Sequence, residues 1–339
     1  MKKVLTVLIP SRNRLELLQR ALQSVEKVQL DDICLNVVIS DNSDTPYQSI
    51  VSTLPLRIIR PPSRLPMPQH WDWMLNQVES DYYCILTDRS LLFPENFTQA
   101  LKKLCSENVD LISYSFAGYS DHYFPYFVGG LGYSNTSNLI TSASIMEEAL
   151  KSHYWSAFPR ALNCIFSSGV VSALKDKFGC VFGGVSPDVN FAFKYLSIFD
   201  NFIYFDKPVF LSTGTNLSTG RAGLKGQSTE LIIWALRESP WQINKIESLP
   251  SLVDTPLAIN GIAHEMADVC GLEGFSFVNF YDRIEKEKIA IKIPSNKNIY
   301  YFAKKIARPF TVVKSYEFAM TLASTCFNTS RLKKKFIFE

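Results

Sequence analysis

Two hydrophobic periods alternate along the first 115 residues, and this alternation limits the fold more than any other feature. Val4-Leu5-Thr6-Val7-Leu8-Ile9 is an unbroken β-rich run, as expected of a strand covered on both faces. Leu15, Leu18, Ala21, Leu22 and Val25 follow at helical spacing. Residues 35–40 and 56–59 read as further strands, Trp71, Met74, Leu75 and Val78 as a helix, and residues 82–86 as a strand. Residues 97–104 predict a helix and 111–114 a strand. The alternation implies βαβ units and an α/β fold with a mostly parallel sheet flanked by helices. Right-handed crossovers put ligand loops at the carboxyl ends of the strands, at residues 10–14, 40–45, 60–68 and 87–91.

Beyond residue 115 the pattern weakens. Residues 115–160 are aromatic and small polar and read as loop, and Asp176, between two lysines, reads as turn. A helix is expected over 186–196, a strand over 202–205 and a Ser/Thr/Gly-rich loop over 212–226. Helical stretches follow at 230–237, 258–270 and 301–324, the last interrupted at Pro309. A boundary is therefore set near 228, between residues 1–228 and a mostly helical extension over 229–339.

Lys+Arg 35 against Asp+Glu 32 leaves a formal charge of +3, without the concentrated basic excess of a nucleic-acid binder. With 47% hydrophobic residues and no repeat, the composition is that of a folded chain, not collagen, coiled coil or disorder. The uncharged stretch 161–174 contains Asn163, Ser167, Ser168 and Gly169 and is shorter than the roughly 20 apolar residues of a spanning helix. The apolar run at 4–9 meets Pro10 and Arg12, too soon for a signal peptide. These features lead to the expectation of a cytoplasmic protein. The seven cysteines show no C-x-x-C pair and are expected to be reduced, buried and hydrophobic in role.

The residues after the strands disfavour several chemistries. No G-x-G-x-x-G comes after the first strand and no G-x-x-x-x-G-K-[ST] occurs, which argues against dinucleotide enzymes and P-loop NTPases. Gly184-Val185-Ser186-Pro187-Asp188 begins like a nucleophile elbow but lacks the closing glycine. His264-Glu265 lacks the second histidine of H-E-x-x-H and reads as an exposed helix turn.

The ordered motifs are more informative. Val7-Leu8-Ile9-Pro10-Ser11-Arg12-Asn13-Arg14, then Val37-Val38-Ile39-Ser40-Asp41-Asn42-Ser43, resemble the opening of family 2 of the inverting glycosyltransferases. The resemblance continues through His70-Trp71, Ser80–Asp88, Leu92-Phe93-Pro94, Ser186–Phe191 and Tyr204–Pro208, covering residues 1 to about 226. It implies a GT-A type, Rossmann-like sheet, with a nucleotide-binding half at 1–115 and an acceptor half at 116–228. It also implies transfer of a sugar, with inversion, from a nucleotide-sugar donor to a glycan or lipid-linked acceptor, in surface polysaccharide synthesis.

The resemblance also implies roles. Asp41 corresponds to the acid that contacts the donor base; an Asx turn in Asp41-Asn42-Ser43 is the ordinary alternative. Pro10, Ser11, Arg12, Asn13, Asn42, Ser43, His70 and Trp71 would border the same donor pocket, although a histidine beside tryptophan is also common in cores. Asp88-Arg89-Ser90 stands where the family has D-x-D. Asp88 would ligate Mg²⁺ or Mn²⁺, but Ser90 in place of the second carboxylate weakens that site, and Arg89 could bind the diphosphate instead. Asp188 matches the catalytic base at a helix start; the bland alternative is a first-turn acid behind a Ser186 cap. Ser212, Gly214, Asn216 and Arg221 belong to a loop expected to close over the phosphates, with Lys225 undecided. Basic and aromatic residues at 300–314 and 331–336 suit an anionic membrane surface, such as the inner face of the cytoplasmic membrane; a solvated tail or an oligomer contact is the ordinary alternative. A non-catalytic sugar-nucleotide or glycan-binding module and a sugar-phosphate nucleotidyltransferase are the competing readings. The second should carry a Gly-rich basic loop that Pro10–Arg14 is not.

Overall fold

The computed structural model describes residues 2–120, 126–129, 133–154, 156–213, 234, 246–252, 258–292 and 311–313. Among these, eleven strands form one sheet, with the order β11-β7-β6-β9-β4-β1-β2-β3 along its main path. The strands β1 (Lys3–Ser11), β2 (Ile33–Asp41), β3 (Leu56–Ile59) and β4 (Tyr82–Ile85) pair in parallel, and all stop at one edge of the sheet. From β1, Val7 and Ile9 enter one core and Leu8 the other, which explains why that strand is apolar throughout. Helices α1 (Leu15–Val25) and α3 (Pro94–Glu107) cover the first face, and α2 (Met67–Asn76) lies on the second.

The far half of the sheet is mixed. β6 (Leu111–Ser120) and β9 (Cys164–Ser167) run antiparallel to each other, and β9 is antiparallel to β4. β10 (Asn201–Ser212) runs parallel to β6 but antiparallel to β5 (Ser90–Leu92) and β8 (Ser137–Thr141). Its register against β6 shifts on both sides of Pro208, which has no N–H for the ladder. Those irregularities carry the end of β10 across to β5, so that Ser212 faces the turn after β4.

Several expectations are corrected here. Residues 115–160 are not a loop throughout: β6 reaches Ser120, and β7 (Tyr126–Gly129), β8 and α4 (Ser142–Leu150) follow. β8 is a polar edge strand, so it lacks the alternation that marks a half-buried one, and the Thr141 hydroxyl caps α4. Asp176 lies inside α5 (Ser168–Phe178), which ends at Gly179 in the left-handed conformation (φ 74°). Ser212 ends β10 and does not begin a loop. In the stretch read as a helix over 301–324, Thr311-Val312-Val313 forms β11, antiparallel to β7; β-branched residues favour that outcome. The expected helix at 230–237 lies outside the described residues except Trp234.

Helix α6 (Pro187–Leu196) is buried on most sides by the second core. That core also takes Leu249, Ile259, Ile262, Ala263, Met266, Phe275, Phe280 and Ile284, which come from residues 246–252, helix α7 (Ala258–Cys270), the α7–α8 connection and helix α8 (Phe277–Lys292). The expected boundary near 228 falls outside the described residues, but the helices beyond it share the core of the sheet. Of the described cysteines all are free; Cys84 and Cys164 are buried, whereas Cys34, Cys105 and Cys270 are exposed, contrary to expectation. No helix of the described residues is long and apolar enough to cross a membrane.

Candidate active site

The ends of β1 and β2 are bound together by side chains. The Ser11 hydroxyl lies 2.8 Å from both the Tyr47 hydroxyl and Asp88 Oδ2. Asn13 adopts φ 56°, and its amide exchanges hydrogen bonds with Asp44, donating to a carboxylate oxygen at 2.8 Å and accepting the Asp44 N–H at 3.0 Å. Asn42 donates to the Leu65 carbonyl and accepts the Leu65 N–H, tying the β3–α2 loop to β2. Arg12 and Arg64 both reach Asp44, and Trp234 lies near both guanidinium groups, 4.6 Å from Arg64 by ring centroid.

Asp41 is the last residue of β2 and is 2% exposed. Oδ1 accepts the Ser43 N–H, and Oδ2 accepts the Tyr47 N–H and Arg60 Nη1, both within 3.0 Å. Burial raises its pKa, but the Ser43 and Tyr47 hydrogen bonds and the Arg60 charge outweigh that and hold the carboxyl below its ordinary value. The Asx turn is thus present, and both oxygens are used by the protein. His70 is buried with Nε2 2.7 Å from the Ser40 hydroxyl, and desolvation lowers its pKa to about 4. Trp71 packs edge-on against Phe182 in the core. Both side chains are buried, His70 against β2 and Trp71 in the second core.

The turn between β4 and β5 holds Asp88, Arg89 and Ser90. Asp88 is fully buried: Oδ2 takes Ser11 and an ion pair with Arg14 Nε at 2.9 Å, while Oδ1 has no hydrogen-bond partner among the described residues. Burial raises its pKa against the opposing charges of Arg14 and Arg89. Ser90 Oγ lies 2.7 Å from the Thr87 hydroxyl. Arg89 Nη1 donates to the Ser212 hydroxyl at 2.8 Å and to the Thr213 carbonyl, and the Thr213 N–H and hydroxyl return to the Arg89 carbonyl.

These residues do not fit a divalent cation. The orphaned Oδ1 of Asp88 could accept a ligand, but a guanidinium occupies the other oxygen. Ser90 is turned to Thr87, and no group of three or more candidate metal ligands occurs among the described residues.

Asp188 sits in the first turn of α6, half-buried. Burial raises its pKa, opposed by the charge of Arg160, by the backbone N–H groups of Asp188 and Val189, and by Arg89. Arg89 therefore acts electrostatically on both Asp88 and Asp188. Pro187 occupies the first helical position as expected, but the Ser186 side chain makes no cap. Glu265 of α7 instead holds the chain entering the helix, taking the Val185 and Ser186 N–H groups at 2.7 Å each. His264 and Glu265 are fully buried, which corrects the exposed turn read from the sequence.

Across the strand ends and α6, the guanidinium groups of Arg12, Arg14, Arg60, Arg64, Arg89 and Arg160 outnumber the carboxylates of Asp41, Asp44, Asp88 and Asp188 by two charges. Pro10 is buried within β1. Gly214, Asn216, Arg221 and Lys225 lie outside the described residues, as do Tyr123, Phe124 and Trp155 of the aromatic region. Of the other aromatics, Tyr114 and Tyr119 are core, while Phe116 is 43% exposed and stacks on Phe210. Tyr47, Arg60 and Arg160 carry no motif in the sequence, while Arg14 stands in the strand-end motif and Glu265 in a stretch read as an exposed turn; Arg60 pairs with Asp41 across 19 residues and Glu265 with Val185 across 80.

Comparison with known proteins agrees with the order of motifs. Residues 6–154 match the model of Glycosyl transferase family 2, which bears out the resemblance over that part of the chain. No curated protein matches. Among solved structures, S. aureus TarS is similar at a TM-score of 0.49 and 13% identity, over 84% of this chain and 55% of that one. S. aureus TarS 1-349 in complex with UDP is similar at 0.48 and 14% identity, over 89% and 78%. The same protein in complex with UDP-GlcNAc is similar at 0.48 and 11% identity, over 93% and 97%. This chain thus spans about half the length of the first of these.

Proposed function

We propose that the chain is an inverting glycosyltransferase that moves a sugar from a nucleotide-sugar donor to a glycan or lipid-linked acceptor. The observation that carries this reading is Asp188. It is a half-buried carboxyl at a helix start, with its pKa raised by burial, electrostatically coupled through Arg89 to the diphosphate end of a motif-matched nucleotide half.

In the proposed reaction Asp188 removes the proton from the acceptor hydroxyl. The oxygen attacks the anomeric carbon, and the carbon–oxygen bond to the diphosphate breaks on the opposite face, so the configuration inverts. Arg89, held on Ser212 and Thr213, and the surrounding arginine excess offset the charge gathering on the departing nucleoside diphosphate. Charge compensation by arginine is proposed in place of a divalent metal, since Arg14 already pairs with Asp88. Action at the inner face of a cytoplasmic membrane, in surface polysaccharide synthesis, completes the proposal.

Calorimetry with UDP, GDP, CMP and their sugar conjugates, each with Mn²⁺ and with EDTA, tests it. One nucleotide class should bind, and its affinity should survive EDTA; an absolute need for Mn²⁺ contradicts the arginine account. The Arg14–Asp88 pair also favours a second reading, a binding module without turnover. Nucleotide release from a bound donor eliminates that reading.

A further inference from the structure

The first turn of α6 is set from outside the segments that carry the motifs. Glu265 stands on α7, beyond both the family match and the resemblance, and is fully buried. Its Oε1 accepts the Val185 and Ser186 N–H groups at 2.7 Å, and Oε2 accepts Asn190 Nδ2 at 3.0 Å. Asn190 lies on α6 one position past Val189 and is itself fully buried. Gly184 lets the carboxyl approach: its φ is +66°, and a Cβ there would stand 1.8 Å from Glu265 Oε2. Behind Glu265, α7 is anchored by His264 Nε2 at 2.6 Å and Asn260 Nδ2 at 3.0 Å, both on the Pro250 carbonyl.

We propose that Glu265 is a positioning residue for Asp188, fixing the 184–190 segment so that the base points at the acceptor hydroxyl. The proposal rests on the reading of Asp188 as the base. Ser186 makes no side-chain cap here, and the Asp188 carboxyl itself takes the Asp188 and Val189 N–H groups, so the turn that carries the base depends on how its entry at 185–186 is held. The N–H groups that would otherwise loosen the turn are taken by a rigid carboxyl from another helix, two residues before the reacting group. Reacting groups misplaced by about 1 Å can lose on the order of 100-fold in rate, which gives such a prop catalytic weight.

This hold does not need a charge. Burial raises Glu265 to about 8 against its three hydrogen bonds, with Asp268 adding to the rise and Lys194 nearby on α6. Asn190 Oδ1 is buried with no hydrogen-bond partner among the described residues, so turning that amide offers an acceptor to a protonated Oε2 or to a glutamine Nε2. A neutral glutamine can therefore do the same work, whereas alanine cannot.

The test uses the full chain and reads nucleotide release from UDP-, GDP- and CMP-sugars per folded molecule across pH, with thermal unfolding alongside. Glu265→Ala should lower kcat at least about 10-fold with donor KM changed less than about 3-fold, and Glu265→Gln should recover most of the loss. The acid limb of the profile, set by Asp188 facing Arg160 and Arg89, should move to lower pH in Glu265→Ala as water enters around the base. Gly184→Ala should reproduce the loss with Glu265 intact. Gly184→Ala/Glu265→Ala should turn over per folded molecule about as Glu265→Ala does, while unfolding at a lower temperature because alanine at φ +66° stays strained without the carboxyl.

Wild-type turnover per folded molecule and an unmoved acid limb in Glu265→Ala mark a purely structural contact and overturn the proposal. Asp188→Asn separates the two levels: if it retains turnover, the base assignment fails. If it is inactive while Glu265→Ala matches wild type, only the positioning role fails.

Discussion

Asp88 and Arg14 offer the sharpest energetic test of the donor end. Asp88 is fully buried, and its charge is met by one guanidinium at 2.9 Å and one hydroxyl at 2.8 Å, with no hydrogen-bond partner for Oδ1 among the described residues. Arg14→Gln leaves that charge with the Ser11 hydroxyl and the more remote charge of Arg89. Breaking a buried pair from one side costs about 3–5 kcal/mol, because the remaining ion stays desolvated. Asp88→Asn removes the buried charge and leaves Arg14, whose side chain is 27% exposed and can turn toward water, so its cost should be about 1 kcal/mol. The double variant should resemble Asp88→Asn, giving a coupling of about 3–5 kcal/mol in the cycle.

The pH dependence has a defined sign. The folded-state pKa of Asp88 is raised above its ordinary value, so its burial penalty is absent below that ordinary value and develops as pH rises through the folded pKa. The Arg14→Gln deficit should therefore be largest near neutrality and shrink on acidification. Urea unfolding of the four proteins at neutral and acidic pH, with m held common, measures all of this. Equal single losses that add, with no narrowing at low pH, would refute the idea that Arg14 compensates a buried carboxylate.

Two further perturbations probe the same geometry. His70 has a folded pKa near 4 and an ordinary value of 6.5, so the folded state resists its protonation and stability is lost as pH falls from about 6.5 to 4. That loss is about 3 kcal/mol, and the unfolding free energies of wild type and His70→Gln should draw together over this window; parallel curves contradict it. Asp41→Ala strips the acceptor from Ser43, Tyr47 and Arg60 and should cost about 2–4 kcal/mol in chemical unfolding, with Asp41→Asn costing less. A stable Asp41→Ala chain that has lost only nucleotide affinity would instead support direct contact with the donor base.

The legible part of the fold is the part governed by local rules. The parallel strands β1 to β4 and helices α1 to α3 announce themselves, since each buries a face at its own period. α7 was equally clear, and its expected bounds at 258–270 coincide with Ala258–Cys270. β8 was hidden because a polar edge strand needs no alternation. β9 and α5 were hidden because a short buried strand leads straight into a helix at Ser168.

In the site, Asp88, Arg89 and Asp188 could be named from motif order, and the structure relates them through the charge of Arg89. Their partners could not. Arg60 on Asp41 and Glu265 on Val185 are long-range choices made by packing, and burial of Glu265 depends on a helix whose sequence shows only amphipathicity. Asp41 shows the ordinary and the motif-based readings side by side, since the Asx turn read from the sequence is present and Arg60 joins it from just after β3.

The base assignment is tested most directly by Asp188→Asn, comparing donor binding by calorimetry with nucleotide release under saturating donor. The account predicts unchanged donor affinity, no loss of folding stability at neutral pH and turnover lowered by about 100-fold or more. The stability expectation comes from the raised pKa of Asp188, which makes its ionised form a burden on the fold. Near-normal turnover in a chain that still binds donor would contradict the central claim and return Asp188 to the role of a first-turn helix acid.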